Sequence, residues 1–168
     1  MVTTLKHRII ELLSRDPGEL YSISDIAKRL GVAYSHAHGF VKTLVSEDVL
    51  LIKKIGNVSV CSLNLTAPMT LSLLSIIESR RALEWMKKNP QSAKLMERVE
   101  IVKDNVHCVL VKGNRVVLVV PEKIKGAEFS IFKNRVVLNH RQLRRKRKQY
   151  NDRIVLHGAE KYWSLMSD

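Results

Sequence analysis

The sequence has little of several features that define specialised protein classes. Only 5% of its 168 residues are aromatic, and it holds 7 glycines, 4 prolines and 2 cysteines. These glycine and proline contents exclude collagen-like and low-complexity chains. Two cysteines, Cys61 and Cys108, can form at most one disulfide, which excludes a disulfide scaffold. With 45% hydrophobic residues, the chain can still build a packed core, as one domain or two small ones.

Long apolar runs are also missing. No stretch reaches the roughly 18–20 apolar residues needed to span a bilayer. The first residues carry Lys6, His7, Arg8 and Glu11, so they lack the apolar core of a signal peptide. We therefore expect no membrane partner, a cytoplasmic location and reduced cysteines.

Acidic residues are scarce relative to basic ones. The chain has 29 Lys and Arg against 16 Asp and Glu, a formal net charge of +13. Residues 1–66 carry 8 basic and 6 acidic side chains, residues 67–98 carry 6 and 3, and residues 99–168 carry 15 and 7. The excess is therefore concentrated in the last third. It is compatible with a polyanionic partner, most simply nucleic acid, and equally with a merely solvated basic surface.

The first 30 residues predict two helices. Apolar residues recur at helical spacing from Leu5 to Leu12, which gives the first helix one apolar face. Ser22 and Asp25 form a capping-box pattern that opens a second helix. Gly31 suits the left-handed turn that ends this helix.

A third helix and a hairpin follow. The third helix is predicted over about 34–47, with Ala37, Val41 and Leu44 on its inner stripe. Two β-prone runs then flank Gly56-Asn57, a pair typical of a tight hairpin turn.

This part of the sequence resembles the winged helix-turn-helix of prokaryotic transcription regulators. The resemblance rests on residues 23–35, on residues 42–44 and on the hairpin. The resemblance covers about residues 3–65. It departs from the family at Ala33, where the family often has a Ser or Thr cap, and at Gly39, which weakens a helix. The resemblance implies that the third helix enters the major groove of double-stranded DNA and that the hairpin contacts the backbone. The DNA-binding residues that it implies are Tyr34, Ser35, His36, His38, Lys42 and Thr43 on the helix and Lys53, Lys54 and Asn57 on the wing.

The histidines do not predict a metal site. His36 and His38 are two residues apart, so on a helix their side chains point about 200° from each other. His107 and Cys108 are neighbours, and neighbours in a strand face opposite sides. We expect no metal and no cofactor.

Residues 67–98 predict a connecting helical region. From about Thr70 to Lys88 no glycine or proline interrupts the chain, and apolar residues cover a broad arc. Such a helix is buried on more than one side. The helix either packs within its own chain or pairs with the same helix of a second copy in a homodimer. A short helix is predicted over 92–98.

The last third predicts a small basic α/β domain. Strands are predicted over 99–102, 106–111, 115–120, 128–132, 135–138 and 153–158, with helices from about residue 141 and over 159–166. The fold class is therefore α+β, with a winged helix-turn-helix domain at 1–66, the connecting region at 67–98 and the α/β domain at 99–168.

Residues 153–160 are weakly similar to the end of minimal nucleotidyltransferase domains, which sometimes follow a winged helix. That family needs two acidic residues after a Gly-Ser turn, whereas residues 112–120 here contain no carboxylate. No other catalytic motif is present. We therefore expect no enzyme activity. The alternative is a nucleic-acid-processing enzyme that the winged helix targets, either nucleotidyltransferase-like or a nuclease. A nuclease could be built from Glu100, Asp104 and Glu122 with Lys123 nearby.

A run of basic residues lies in the last third of the sequence. Six of the eight residues 141–148 are Lys or Arg. On one continuous helix, Arg141, Arg144, Arg145 and Lys148 share a face that could contact phosphates. Together these features favour a DNA-binding transcription regulator, and the alternatives are the enzyme and an adaptor that never touches DNA.

Overall fold

The computed structural model describes residues 4–122, 124 and 129–167. The chain divides into two compact units, one ending at Leu74 and one running from Ser75 to Met166. Within the described residues, no helix is both long and apolar enough to cross a bilayer. The helices are α1 (Leu5–Arg15), α2 (Ile23–Leu30), α3 (Tyr34–Ser46), α4 (Pro68–Lys88), α5 (Ser92–Val102), α6 (His140–Arg145) and α7 (Ala159–Ser164), and the strands are β1 (Tyr21–Ser22), β2 (Leu50–Ile55), β3 (Val58–Leu63), β4 (Cys108–Lys112), β5 (Arg115–Val119), β6 (Arg135–Leu138) and β7 (Ile154–His157).

The first unit is a trihelical base whose helix ends follow the predicted signals. The Ser22 hydroxyl accepts a hydrogen bond from the Asp25 amide at 3.0 Å, and the Asp25 carboxylate accepts one from the Ser22 amide at 3.1 Å. This reciprocal capping box begins α2. Gly31 ends α2 in the left-handed conformation, with φ of 64°. Ile9, Ile26 and other apolar residues of the three helices meet in the core.

The predicted hairpin is present and gains a third strand. β2 and β3 pair antiparallel around Gly56-Asn57, and Gly56 has the positive φ that glycine allows in a tight turn. β1 pairs with the other edge of β3, so the strand order is β1-β3-β2. Two residues are too short a strand to be recognised from the sequence pattern.

The second unit is built on a four-stranded mixed sheet with the order β6-β5-β4-β7. β4 and β5 form a hairpin around Gly113-Asn114, β7 pairs antiparallel with β4, and β6 pairs parallel with β5. Valines of α5 and of the two central strands pack with Phe129 and Phe132 in its core. The α+β fold class is thus confirmed.

Three sequence predictions in the second unit were wrong. Residues 99–102 are the last turn of α5 and not a strand, because Val99 and Val102 bury themselves at a helical spacing of three. Residues 129–132 form turns and not a strand, while Glu128 lies outside the described residues. Periodicity alone could not distinguish a strand from a helical turn or a loop here, because both segments are short.

The third correction concerns the basic run. α6 ends at Arg145, Lys146 is its C-cap, and a 3-10 turn continues over Arg147–Tyr150. The predicted single helical face of Arg141, Arg144, Arg145 and Lys148 therefore does not form. Like charges along one face repel each other, which disfavours the longer helix.

Candidate nucleic-acid interface

Helix α3 lies with one face in the core of the first unit and the other in solvent. Ala37, Val41 and Leu44 are buried, which fixes the rotation of the helix. Most of the predicted DNA-binding residues of α3 are exposed, and Thr43 is half-buried. The exposed ones are Tyr34, Ser35, His36, His38 and Lys42.

Gly39 occupies the centre of this exposed face. With about 100° of rotation per residue, the buried stripe places Gly39 almost opposite the core, with Ser35 and Lys42 close beside it. His36 and His38 lie on the two flanks. A Cβ atom at Gly39 would meet nothing within 4 Å, so the position is open to solvent. From the sequence, Gly39 is a weak point of the helix that either allows a close approach or is a tolerated surface position, and the same rotation could have placed it at the centre of the face.

The beginning of α3 has an aromatic pair in place of a side-chain cap. Ala33 occupies the N-cap and provides no side-chain hydrogen bond, as its residue type requires. Tyr34 and His38 stack one turn apart, with ring centroids 6.0 Å apart and planes inclined by 26°. The stacking restrains both rings on one flank of the exposed face.

Thr43 is less available than the other residues. Its hydroxyl donates a hydrogen bond to the Gly39 carbonyl oxygen at 3.1 Å. Only the oxygen lone pairs of Thr43 remain to accept a hydrogen bond from a partner.

The exposed face of α3 carries little charge. The helix contains one cation, Lys42, and no carboxylate. Serine and neutral histidine can donate and accept hydrogen bonds at base edges, whereas a single lysine supplies only one attraction to phosphate. The face suits hydrogen-bonded recognition better than non-specific attraction.

The hairpin β2–β3 forms an exposed wing. Its residues from 51 to 59 are all exposed, including the predicted contacts Lys53, Lys54 and Asn57. Lys53 and Lys54 are consecutive in β2, so their side chains leave opposite faces of the hairpin. One surface can therefore meet only one of these two lysines.

A small polar cluster ties α2 to the sheet of the first unit. The Tyr21 hydroxyl donates to a Glu19 carboxylate oxygen at 2.6 Å, and the Arg29 guanidinium lies 5.0 Å from the Tyr21 ring centre. Burial, followed by the Glu19 carboxylate, raises the pKa of Tyr21 to about 12. Hydrogen bonds from Ser22 lower the pKa of the exposed Asp25 carboxyl. These two pKa shifts arise from residues outside α3, in the part of the first unit that supports this helix. They do not change the exposed face of α3.

The four cations predicted to contact phosphates occupy different environments in the second unit. Arg141 pairs with Glu122 at 3.3 Å, and the Arg144 Nε donates to the Leu165 carbonyl oxygen at 2.5 Å. Arg145 and Lys148 are exposed. Arg144 therefore serves the packing of the unit, and the four side chains do not form one row.

The carboxylates of the nuclease alternative are not gathered into a metal site. Glu100 pairs with Lys103 and Glu122 with Arg141. Across the part of the chain that the structure describes, no three His, Cys, Asp or Glu side chains are placed to hold a metal ion. Lys123 lies outside those residues.

Comparison with known proteins identifies the N-terminal segment. Residues 7–50 match the family model of the IclR helix-turn-helix domain. No curated protein matches the chain. Among solved structures, the chain resembles the adhesin competence repressor AdcR from Streptococcus pyogenes with a TM-score of 0.39 and 19% identity, over 61% of this chain and 80% of that one. The family match at residues 7–50 and the hairpin that follows it show that the first unit contains a winged helix-turn-helix similar to that of the IclR family.

Proposed function

We propose that this protein is a transcription regulator that binds duplex DNA with its first unit and inserts α3 into the major groove. The observation that carries the proposal is the exposed, carboxylate-free face of α3 centred on Gly39. It is a helix face of the kind that a major groove admits, with side chains that can reach base edges.

The roles of the side chains follow from their places on this face. Ser35, His36 and His38 would exchange hydrogen bonds with base edges, and Lys42 would contact a base or a phosphate. Tyr34, held by its stack on His38, would contact the sugar-phosphate backbone at the edge of the groove. The wing would contact backbone through Asn57 and one of its two lysines.

We also propose that the protein binds DNA as a homodimer through α4. Met69, Ile76 and Leu83 recur every seven residues on this helix, and each is more than half exposed, at 58%, 59% and 57%. A seven-residue repeat keeps apolar side chains on one line, as in helix pairs that associate. Two copies would present two α3 helices to paired half-sites.

Sedimentation of the full chain tests the dimer. Ile76→Glu with Leu83→Glu should convert a dimer into a monomer and weaken binding to a two-half-site duplex. Lys88→Glu is the matched control, because it changes the charge by the same −2 on exposed α4 but lies roughly 120° around the helix from the apolar line. A wild-type chain that sediments as a monomer at all concentrations tested would refute the dimer and leave the α3 proposal intact.

We further propose that the protein acts by binding and not by catalysis. Incubation of labelled DNA with magnesium or manganese, with a Glu100→Ala and Asp104→Ala variant beside the wild type, tests this. Turnover by the wild type that the variant lacks would establish the enzyme alternative.

Selection of bound fragments from random duplex DNA tests the major-groove proposal. The wild type should enrich a defined sequence, and His36→Ala should relax the preference at one or two base pairs. Lys87→Ala, on the exposed end of α4, should leave the selected sequence unchanged. Selection that enriches no sequence, or the same sequence after His36→Ala and Ser35→Ala, would contradict base reading by α3.

A further inference from the structure

A second basic surface surrounds the turn between β4 and β5, in the second unit. Two depressions meet there at Asn114, one of about 590 Å³ and one of about 330 Å³. The first is lined by Lys112 and Arg115, and the second by Lys94, Arg98 and Lys133. These five cations are not part of the run at 141–148.

Among the residues that the structure describes, no ion pair neutralises the exposed cations of this surface. No carboxylate is among the described residues that line either depression. Lys94, Arg98, Arg115 and Lys133 are exposed, and none forms an ion pair with a described residue. Concentrated, unpaired cations attract a polyanion and release its counterions.

The larger depression also has an apolar wall. Its lining includes two buried residues, Val117 and Tyr150, and the half-buried Val136, beside its two cations. The Lys112 ammonium donates to the Gln149 carbonyl oxygen and lies 6.0 Å from the Tyr150 ring centre, so this cation is held in place. Burial raises the pKa of the Tyr150 hydroxyl, while the positive charge of Arg115 acts in the opposite direction. An apolar wall beside two cations, of which Lys112 is held in place, matches the flat face of a base next to its phosphate.

We propose that this surface binds a single strand of nucleic acid, with phosphates on the five cations and a base against the Val117, Val136 and Tyr150 wall. Each depression is of the size that holds one small molecule. A duplex presents its bases only inside its grooves, whereas a single strand can place an unstacked base in such a depression. The residues of this surface belong to the second unit and α3 to the first, so the proposal does not rest on duplex binding by α3.

Titration of labelled oligothymidine of eight nucleotides tests the proposal by fluorescence anisotropy. The full chain carries His36→Ala and Lys42→Ala, so that the α3 face does not contribute. Arg115→Gln in one depression and Lys133→Gln in the other should each weaken binding about fivefold to tenfold and lower the salt slope by roughly 0.7. The double variant should lose more than either single one. Lys87→Gln, an equal loss of charge on exposed α4, should have little effect.

Unlabelled competitors test whether the surface requires phosphates together with a base or only negative charge. A matched mononucleotide or a polyglutamate of equal charge should compete poorly, because neither fills both depressions with phosphates and a base. Equal competition by polyglutamate, binding of mononucleotide alone, or oligothymidine binding unchanged by Arg115→Gln and Lys133→Gln would each overturn the proposal. Failure of the duplex selection described above would not affect it, because the tested background lacks the α3 contacts.

Discussion

Arg153 and Glu78 form an ion pair inside the second unit. The Arg153 Nη2 lies 2.8 Å from a Glu78 carboxylate oxygen, and the two side chains are 1% and 0% exposed. The guanidinium also lies 4.6 Å and 4.9 Å from the ring centres of Tyr162 and Trp163. The pair thus fastens α4 to the residue that precedes β7 and to α7.

Removing one partner of this pair should lower the free energy of unfolding far more than removing both. Arg153→Met leaves the Glu78 carboxylate buried, with Arg81 at 3.3 Å as its remaining ion-pair partner among the described residues. We expect a loss of about 3–5 kcal/mol in the free energy of unfolding. Urea unfolding of the full chain measures it. Glu78→Leu combined with Arg153→Met should recover part of the loss, because it removes both of the fully buried charges, and additive losses would contradict this explanation.

Gly158 should tolerate no side chain. Its φ is +69°, and a Cβ atom there would lie 2.2 Å from the His107 carbonyl oxygen. Gly158→Ala should cost about 1–2 kcal/mol for the left-handed backbone and roughly another 1–3 kcal/mol for the crowding. Gly113→Ala is the matched control, since it has φ of +54° but open space around it. Equal losses for both variants in thermal unfolding would show that the close contact is absent.

Two substitutions at Gly39 should distinguish its effect on stability from its effect on duplex binding. Gly39→Ala should raise the free energy of unfolding by roughly 0.5–1 kcal/mol, because alanine favours a helix interior. Gly39→Gln should also fold, since nothing lies within 4 Å of the added Cβ, yet it should weaken duplex binding by blocking close approach at the centre of the face. Circular dichroism and anisotropy measure the two effects. Unchanged binding by Gly39→Gln would place the duplex elsewhere.

His107 should make stability fall in mild acid. Burial lowers its pKa below the ordinary value of 6.5, and Lys161 and His140 add to the effect. The unfolded chain therefore takes up this proton first as the pH falls through 6.5, which favours unfolding, whereas stability above that pH is not affected by this group. His107→Gln should show a smaller loss of stability between pH 7 and pH 5 than the wild type. Parallel curves for the two proteins would refute the assignment.

The first unit could be predicted from its sequence because its signals are local. Ser22, Asp25 and Gly31 specify the ends of α2 by contacts within a few residues, and the Gly56-Asn57 pair specifies the hairpin. The exposure of the α3 residues followed from the buried spacing of Ala37 and Val41.

The second unit was less predictable because its features depend on contacts between distant segments. The basic surface joins Lys94 of α5, Arg115 of β5 and Lys133 before β6, and no spacing in the sequence brings these together. Similarly, Glu78 within α4 gave no sign that Arg153 would bury it. Only the i, i+4 spacing of Lys94 and Arg98 could have been noticed in advance.

The most direct test of DNA binding by α3 is the affinity for a selected duplex at two salt concentrations. The wild type should bind with strong salt dependence, and Lys42→Ala should weaken binding and lower the salt slope by roughly 0.9. His36→Ala should lower affinity for the selected duplex more than for a random one, and Lys87→Ala should change neither. Tight binding that is the same for wild type, Lys42→Ala and His36→Ala, or no salt-dependent binding at low ionic strength, would contradict the proposed role of α3.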